Sequence, residues 1–425
     1  MAKFAFAFRE CVPTSIMETS ITYDPRGMSE EALKLPLCKS ISARVACLDY
    51  LSGRDARMHL SGRSTDEEVI AAALGQGPMH GIVNVGESGT ALRFLSAMAA
   101  STPGWEITIT GAGSRIMHRP MAPLLEALQA LGAPAPEVAG NSLCIRGARL
   151  HSRGEITLDA SESSQYVSAL LLIAPGIEGG LRLRLSGRPV SMPYISMTLR
   201  LMEAYGIKAD AYPEERLIIV PEGLYTAPQE YICEHDWSSA SYFLELALLS
   251  GKHLTLPHLP ARDSSLQGDS VCSEIFASPA FHGDTMRLER DMSACPDLVP
   301  AVAAACAGKG VPFRISGIGH LRHKESDRIK ALCAELGKMG AMITAGDDHM
   351  EMDHVRALTP PRLPLCSHGD HRIVMALTPL SAVVTGIRFD SACEETAKSF
   401  PGFWKEMHKC GIARSVRQKL FLPTT

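Results

Sequence analysis

Six times along the chain, a short polar or glycine-containing opening leads into a mostly apolar run of helical length that stops at or near a glycine. The runs extend from Lys39 to Gly53, Glu87 to Gly104, Ser163 to Gly176, Ser238 to Gly251, Pro296 to Gly308 and Asp370 to Gly386. Ser, Thr and Asp at the openings suit helix N-caps, and glycine at the far end suits a C-terminal stop. The bodies, such as Tyr166-Val167-Ser168-Ala169-Leu170-Leu171-Leu172, are apolar nearly all round, which predicts helices surrounded by protein. A second pattern alternates with the first: an amphipathic helix, a glycine followed by a small or aliphatic residue, a strand, a polar turn and another strand. It occurs from Arg119-Pro120 to Gly132-Ala133, Thr198 to Gly206-Ile207, Arg328 to Gly340-Ala341 and Phe403 to Gly411-Ile412. Together the patterns predict an α/β chain of about six βαβαββ-like modules, three to a domain.

Length agrees, since 425 residues exceed what one hydrophobic core usually organises. With 46% hydrophobic and 21% charged residues the chain can bury two sizeable cores and is not predicted to be disordered. A formal net charge of −4 argues against a general nucleic-acid binder, so any basic site must be local. The longest apolar stretches, such as Val167 to Ile173, are too short to span a membrane, and Met1 to Gly27 lacks the layout of a signal or transit peptide. Twelve scattered cysteines with no Cys-x-x-Cys pair predict reduced thiols in a cytoplasm.

The unusual residues gather at the openings of the apolar helices: Lys39, Arg44, Arg93, Gln165, Asp297, His371 and Arg372 all fall at or within their first two turns. Helices sharing a direction would bring these ends together. Helix N-termini favour phosphate and carboxylate, but each dipole contributes only about 0.3–1 kcal/mol, so side-chain cations are needed as well. Lys39, Arg44, Arg93, Arg119, Lys324, Arg328, Arg372 and Lys398 supply them. The cluster His323-Lys324-Glu325-Ser326-Asp327-Arg328, read alone, fits an exposed helix face as readily as a proton-transfer site.

At these residues the chain resembles the 5-enolpyruvylshikimate-3-phosphate (EPSP) synthases, enolpyruvyl transferases also called 3-phosphoshikimate 1-carboxyvinyltransferases. The matching motifs are Lys39-Ser40-x-Ser42-x-Arg44, Gly89-Thr90-Ala91-x-Arg93, Arg119-Pro120, Ser163-Ser164-Gln165, Ser191-x-Pro193-Tyr194, Asp236-x-Ser238-Ser239-Ala240, Asp291-Met292 with Pro296-Asp297, Lys324-Glu325-Ser326-Asp327-Arg328, Asp370-His371-Arg372 and Lys398-Ser399-Phe400-Pro401. They follow the family's order over nearly the whole chain after about residue 35.

The resemblance implies a two-domain inside-out α/β barrel, each domain three βαβαββ repeats with helices inside and sheets outside. It places one lobe at residues 34–233 and the other at 1–33 with 234–425, the active site lying between them. The implied reaction moves the enolpyruvyl group of phosphoenolpyruvate to the 5-hydroxyl of shikimate 3-phosphate, releasing phosphate through a tetrahedral intermediate, in aromatic amino-acid biosynthesis. Lys39, Ser40, Arg44, Ser163, Ser164, Gln165, Ser191, Tyr194, Asp297, His320 and Lys324 would meet shikimate 3-phosphate. Lys39, Gly89, Arg93, Arg119, Gln165, Arg328, His371, Arg372 and Lys398 would meet phosphoenolpyruvate. Asp297 would take or orient the hydroxyl proton, and Glu325 with Lys324 would handle the proton at the methylene carbon, Lys39 bridging both substrates.

The family's usual Pro-Gly-Ser-Lys-Ser is here Pro36-Leu37-Cys38-Lys39-Ser40, its Asn-x-Gly-Thr is Glu87-Ser88-Gly89-Thr90, an upstream asparagine is His320, and Phe94 follows the second motif's arginine. Gly89 leaves room for glyphosate, the family's inhibitor; Glu87 and Phe94 are the positions that bear on sensitivity. A sister transferase acting on UDP-N-acetylglucosamine would show Lys-Asn at Lys39-Ser40 and a cysteine loop where Ser114 to His118 has none. His320-x-x-His323 and His368-x-x-His371 raise a metal-dependent hydrolase, but no third ligand has metal spacing. The expectation is a monomeric cytoplasmic enzyme with no metal, cofactor, nucleic acid or membrane partner.

Overall fold

The computed structural model describes residues 15–29, 31–56, 65–75, 80–111, 115–283, 286–354 and 356–420. The opening residues 1–14 and part of the loop before Arg119, residues 112–114, lie outside it.

Three sheets repeat one plan. Strands His80–Asn84 and Glu106–Thr110 pair in parallel, then Ser142–Arg146 and Glu137–Ala139 add antiparallel. Glu155–Asp159, Leu181–Ser186, Leu217–Val220 and Asp210–Tyr212 do the same, as do Leu288–Asp291, Phe313–Ser316, His349–Met352 and Thr344–Ala345. In each, one helix joins the parallel pair and a second precedes the antiparallel hairpin. A fourth sheet sets Ser15–Met28 between Arg388–Phe389 and Cys410–Leu420.

The joining helices are the apolar runs. Of Ser164–Ile173 all but Gln165 is buried, and of Val299–Lys309 all but the last two residues. Side-chain caps sit where the polar openings predict: Ser88 accepts from Ala91 N, Ser163 from Gln165 N, Asp236 from Ser239 N and Asp370 from Arg372 N. After the amphipathic helices, Gly132, Gly206 and Gly340 adopt φ of 102°, 85° and 94°. The next residue then donates back into the helix, Ala133 to Leu128, Ile207 to Met202 and Ala341 to Leu336. This left-handed stop needs glycine, which is why the glycine pattern was readable.

Two elements differ from expectation. The run opening at Pro296 begins with a tight 3-10 turn, Pro296–Leu298, so Asp297 stands before the helix proper. The run from Asp370 ends as an α-helix at Leu377, because Pro379 has no N–H to continue it, and goes on as a 3-10 turn.

Buried apolar side chains form two separate cores. One draws on residues between Cys38 and Cys233; the other combines Ile21, Leu33 and Leu35 with residues from Trp237 to Ile412. The chain passes between these two lobes twice. The crossings run side by side, Cys38 N donating to Glu234 O at 2.8 Å and Asp236 N to Pro36 O at 2.9 Å. Among the described residues no helix is long and apolar enough to cross a membrane.

Candidate active site

Five of the six apolar runs, those opening at Lys39, Glu87, Ser163, Pro296 and Asp370, bring residues of their first turns to one cleft that is open to solvent. Its first-lobe wall carries Lys39, Ser40, Arg44, Gly89, Arg93, Arg119, Ser163, Ser164, Gln165, Ser191 and Tyr194; the second lobe brings Asp297, His320, Lys324, Glu325, Arg328, His371 and Arg372. Lys398 joins through its ammonium, 2.7 Å from Glu325 Oε1. All the sequence-proposed site residues therefore meet in one place.

The second-lobe wall is a network of shared charges. Arg328, almost wholly buried, donates to Asp297 Oδ1 at 2.9 Å, to Glu325 Oε2 at 2.9 Å and to Asp370 Oδ2 at 2.8 Å. Arg372 donates to Asp297 Oδ2 at 2.7 Å, and Arg119 lies 3.4 Å from Glu325 Oε1 across the cleft. Burial alone would raise the Asp297 carboxyl, but Arg372 and Arg328 outweigh it and hold it well below the usual range. Glu325 is likewise held down, burial being overcome by Lys398, Arg119 and Arg328. Burial pulls Lys324 down to about 8, partly offset by Asp297, so its ammonium can part with a proton near neutrality. His320 and His371 are kept neutral by burial, reinforced by Lys324 and Lys39 respectively.

On the first-lobe wall Arg93 and Arg44 are fixed instead by neutral acceptors. Arg93 donates to Gly89 O and Gln165 Oε1, both at 3.0 Å, and lies over the Tyr166 ring. Arg44 is spent largely on structure: it donates to Thr198 Oγ1, Ser40 O, Ser168 Oγ and Tyr194 O, with its guanidinium against Phe94 and Tyr194. One of its five N–H groups is left to offer a ligand. Lys39 Nζ sits 3.4 Å from the buried Asp66.

Asp66 and Asp370 are the residues sequence reasoning passed over. Asp66 lies 27 positions from Lys39 with no motif to mark it. Asp370 was readable as a cap, but it also accepts from Arg328 and Ser326, so one carboxylate fixes both Arg328 and the start of the His371–Leu377 helix. Two turns beyond Arg328, Glu335 accepts from Cys366 N and lies 2.8 Å from His368 Nε2, pinning the loop that delivers Asp370.

The match to an EPSP synthase (3-phosphoshikimate 1-carboxyvinyltransferase) family model covers residues 59–407. The chain belongs to the EPSP synthase family. A 3-phosphoshikimate 1-carboxyvinyltransferase of Bacteroides fragilis (strain YCH46) is 35% identical over 407 residues, covering 91% of this chain and 97% of that protein. The fold is that of an EPSP synthase from Acinetobacter baumannii, with a TM-score of 0.69 at 20% identity over 95% of this chain and all of the other. It is also that of the enolpyruvyl transferase NikO from Streptomyces tendae, with a TM-score of 0.67 at 12% identity over 96% and 100% of the two chains.

Set in the EPSP synthase family, the departures have local explanations. Glu87 is exposed and turns its carbonyl, not its carboxylate, to Lys398 Nζ at 3.0 Å. Phe94 is buried beneath Arg44 at 5.3 Å. His320 is 8% exposed, with Nε2 lacking a partner in the protein.

Gly89 is a close-approach position. A Cβ there would sit 2.6 Å from Arg119 Nη1 and 2.7 Å from Arg93 Nη1. Gly89→Ala is expected to displace both guanidinium groups and raise the KM for phosphoenolpyruvate ~10- to 100-fold while moving the KM for shikimate 3-phosphate far less. Steady-state kinetics with each substrate varied in turn checks this; equal changes in both would contradict it.

Proposed function

We propose that this protein transfers the enolpyruvyl group of phosphoenolpyruvate to the 5-hydroxyl of shikimate 3-phosphate, releasing phosphate. The observation that carries this reading is the meeting of two differently held carboxylates, Asp297 and Glu325, with cations from both lobes in one cleft. Two anionic substrates need such a density of positive charge, and the reaction needs one group to take a proton from an alcohol and one to give a proton to carbon.

In the free enzyme the carboxylates neutralise the cations. When the phosphate and carboxylate of phosphoenolpyruvate draw Arg119, Arg328, Arg372 and Lys398 toward themselves, Asp297 and Glu325 lose partners and regain proton affinity. Asp297 then accepts the 5-hydroxyl proton as the oxygen attacks C2 of phosphoenolpyruvate. Lys324 or Glu325 delivers a proton to C3, giving the tetrahedral adduct. Loss of a proton from the new methyl group and cleavage of the C–O bond to phosphate complete the transfer, with the departing phosphate stabilised by the same cations. Ser163, Ser164, Ser191, Tyr194 and His320, together with the remaining N–H of Arg44, hold the acceptor.

The two cores support a division into lobes of residues 34–233 and 1–33 with 234–425, and the repeated four-stranded sheets, two in the first lobe and one in the second among the described residues, support lobes built from modules, short of the three per lobe that the repeat pattern predicts. The family reading carries with it a monomeric, cytoplasmic enzyme. Phosphate release from phosphoenolpyruvate, measured with and without shikimate 3-phosphate, tests the proposal: release should require the acceptor, and release at the same rate without it would defeat the reading.

A further inference from the structure

The helix Met192–Ala204 packs in the first lobe, yet its start is gripped by the second. Ser191 N donates to Ser293 O at 2.7 Å, and Arg188 Nη2 donates to Asp291 Oδ2 at 2.6 Å. Gly268 comes so near that a Cβ on it would lie 2.4 Å from Pro193 Cβ, and Arg200 reaches Ser265 O at 3.2 Å. At the centre of this grip Ser191 has φ 55° and ψ 39°, a left-handed conformation that a residue with a side chain holds only where its surroundings fix it. Its hydroxyl makes no capping bond to the helix, which leaves it to the cleft that Ser191 lines.

Asp291 ties the grip together. Its Oδ1 accepts from Ser293 N at 2.9 Å, fixing the turn that presents Ser293 O, while its Oδ2 holds Arg188, three residues ahead of Ser191. Gly317 backs the turn closely, with room for a Cβ only 2.5 Å from Asp291 Oδ1 and 2.8 Å from Ser293 Cβ. Neither Arg188 nor Asp291 lines the cleft.

We infer that the Asp291–Ser293 turn is a positioning device for the acceptor site: by seating on residues 188–191 across the lobe boundary it sets the backbone of Ser191, and so completes the seat of the phosphorylated acceptor only when the lobes are together. This rests on the reading of Ser191 as a shikimate 3-phosphate ligand. Arg188 and Asp291 are thus positioning residues, and a purely structural ion pair would not make them specific for one substrate.

The test is steady-state kinetics of Asp291→Ala, Asp291→Asn, Arg188→Ala and the Arg188→Ala/Asp291→Ala double variant. Both side chains are about half exposed or more, so their replacement spares the cores. Asparagine keeps an acceptor for Ser293 N but not the charge for Arg188; alanine removes both. The KM for shikimate 3-phosphate is expected to rise ~10-fold in Asp291→Ala and less in Asp291→Asn and Arg188→Ala, with the KM for phosphoenolpyruvate nearly unchanged. The double variant should be no worse than Asp291→Ala, because the two groups act through one contact, and Arg188→Lys should recover part of the loss. Unaltered KM values for the acceptor, or equal increases for both substrates, would overturn the inference. Wild-type enzyme assayed alongside keeps the questions apart: absence of acceptor-dependent phosphate release there defeats the functional reading, whereas normal wild-type turnover with indifferent variants defeats the positioning device alone.

Discussion

Replacing Asp297 by alanine is expected to lower kcat by roughly 10²- to 10⁴-fold, the range for loss of a general base. The reason lies in its two arginines. Asp297 is the carboxylate in this cleft shared between Arg328 and Arg372, with the Tyr194 hydroxyl donating to it at 3.4 Å. Its removal leaves Arg328 still bonded to Glu325 and Asp370 and leaves Arg372 its contact with the Tyr242 hydroxyl. The cations that would bind phosphoenolpyruvate therefore stay in place, and the KM for that substrate should not rise. Asp297→Asn, similar in shape but unable to take a proton at neutral pH, should lose nearly as much kcat. Turnover within a few-fold of wild type in either variant would remove Asp297 from its assigned role.

The largest effect on stability is expected at Arg328. Its guanidinium is shared by three carboxylates, one of which, Asp370, has no exposed surface. Breaking a buried ion pair by deleting one partner costs about 3–5 kcal/mol, because a charge is left in the interior without compensation. Arg328→Met should therefore lower the thermal unfolding temperature clearly and abolish measurable turnover, since Asp297, Glu325 and the cap of the His371–Leu377 helix would all lose a shared anchor. Arg328→Lys should fall between, as one ammonium cannot reproduce the fork that reaches all three. Calorimetry alongside kinetics decides it; wild-type melting of Arg328→Met would show that the network does not depend on this residue.

What the sequence made readable was local. Caps such as Ser88, Ser163 and Asp370 and the left-handed stops at Gly132, Gly206 and Gly340 follow from bonds within a few residues, so pattern alone located these helices, while only three of the six expected modules appear among the described residues. The shared opening of the central helices also gave the right suspicion that their ends converge. Partner choice was not readable, because Arg328 reaches 31 and 42 residues along the chain for Asp297 and Asp370, and Lys398 reaches 73 for Glu325. The charge cluster from His323 to Arg328 looked as much like a solvated face as a site until those contacts placed it. Arg44 looked like a free ligand arginine, and only packing reveals how many of its donors are spent on Thr198, Ser168 and Ser40. The left-handed Ser191 had no signal at all, since its conformation is set from the other lobe. Substrate identity came from the family motifs and not from periodicity or charge, which led only as far as a cationic cleft.

Enolpyruvyl transfer requires this cleft to break the carbon–oxygen bond of phosphoenolpyruvate, not the phosphorus–oxygen bond a phosphatase would break. Phosphoenolpyruvate carrying a heavy-oxygen label in the bridging position, turned over with shikimate 3-phosphate and followed by mass spectrometry of both products, tests it directly. The label is expected to leave with the phosphate while the acceptor gains an unlabelled enolpyruvyl ether. Label retained in the organic product, as pyruvate, would contradict it.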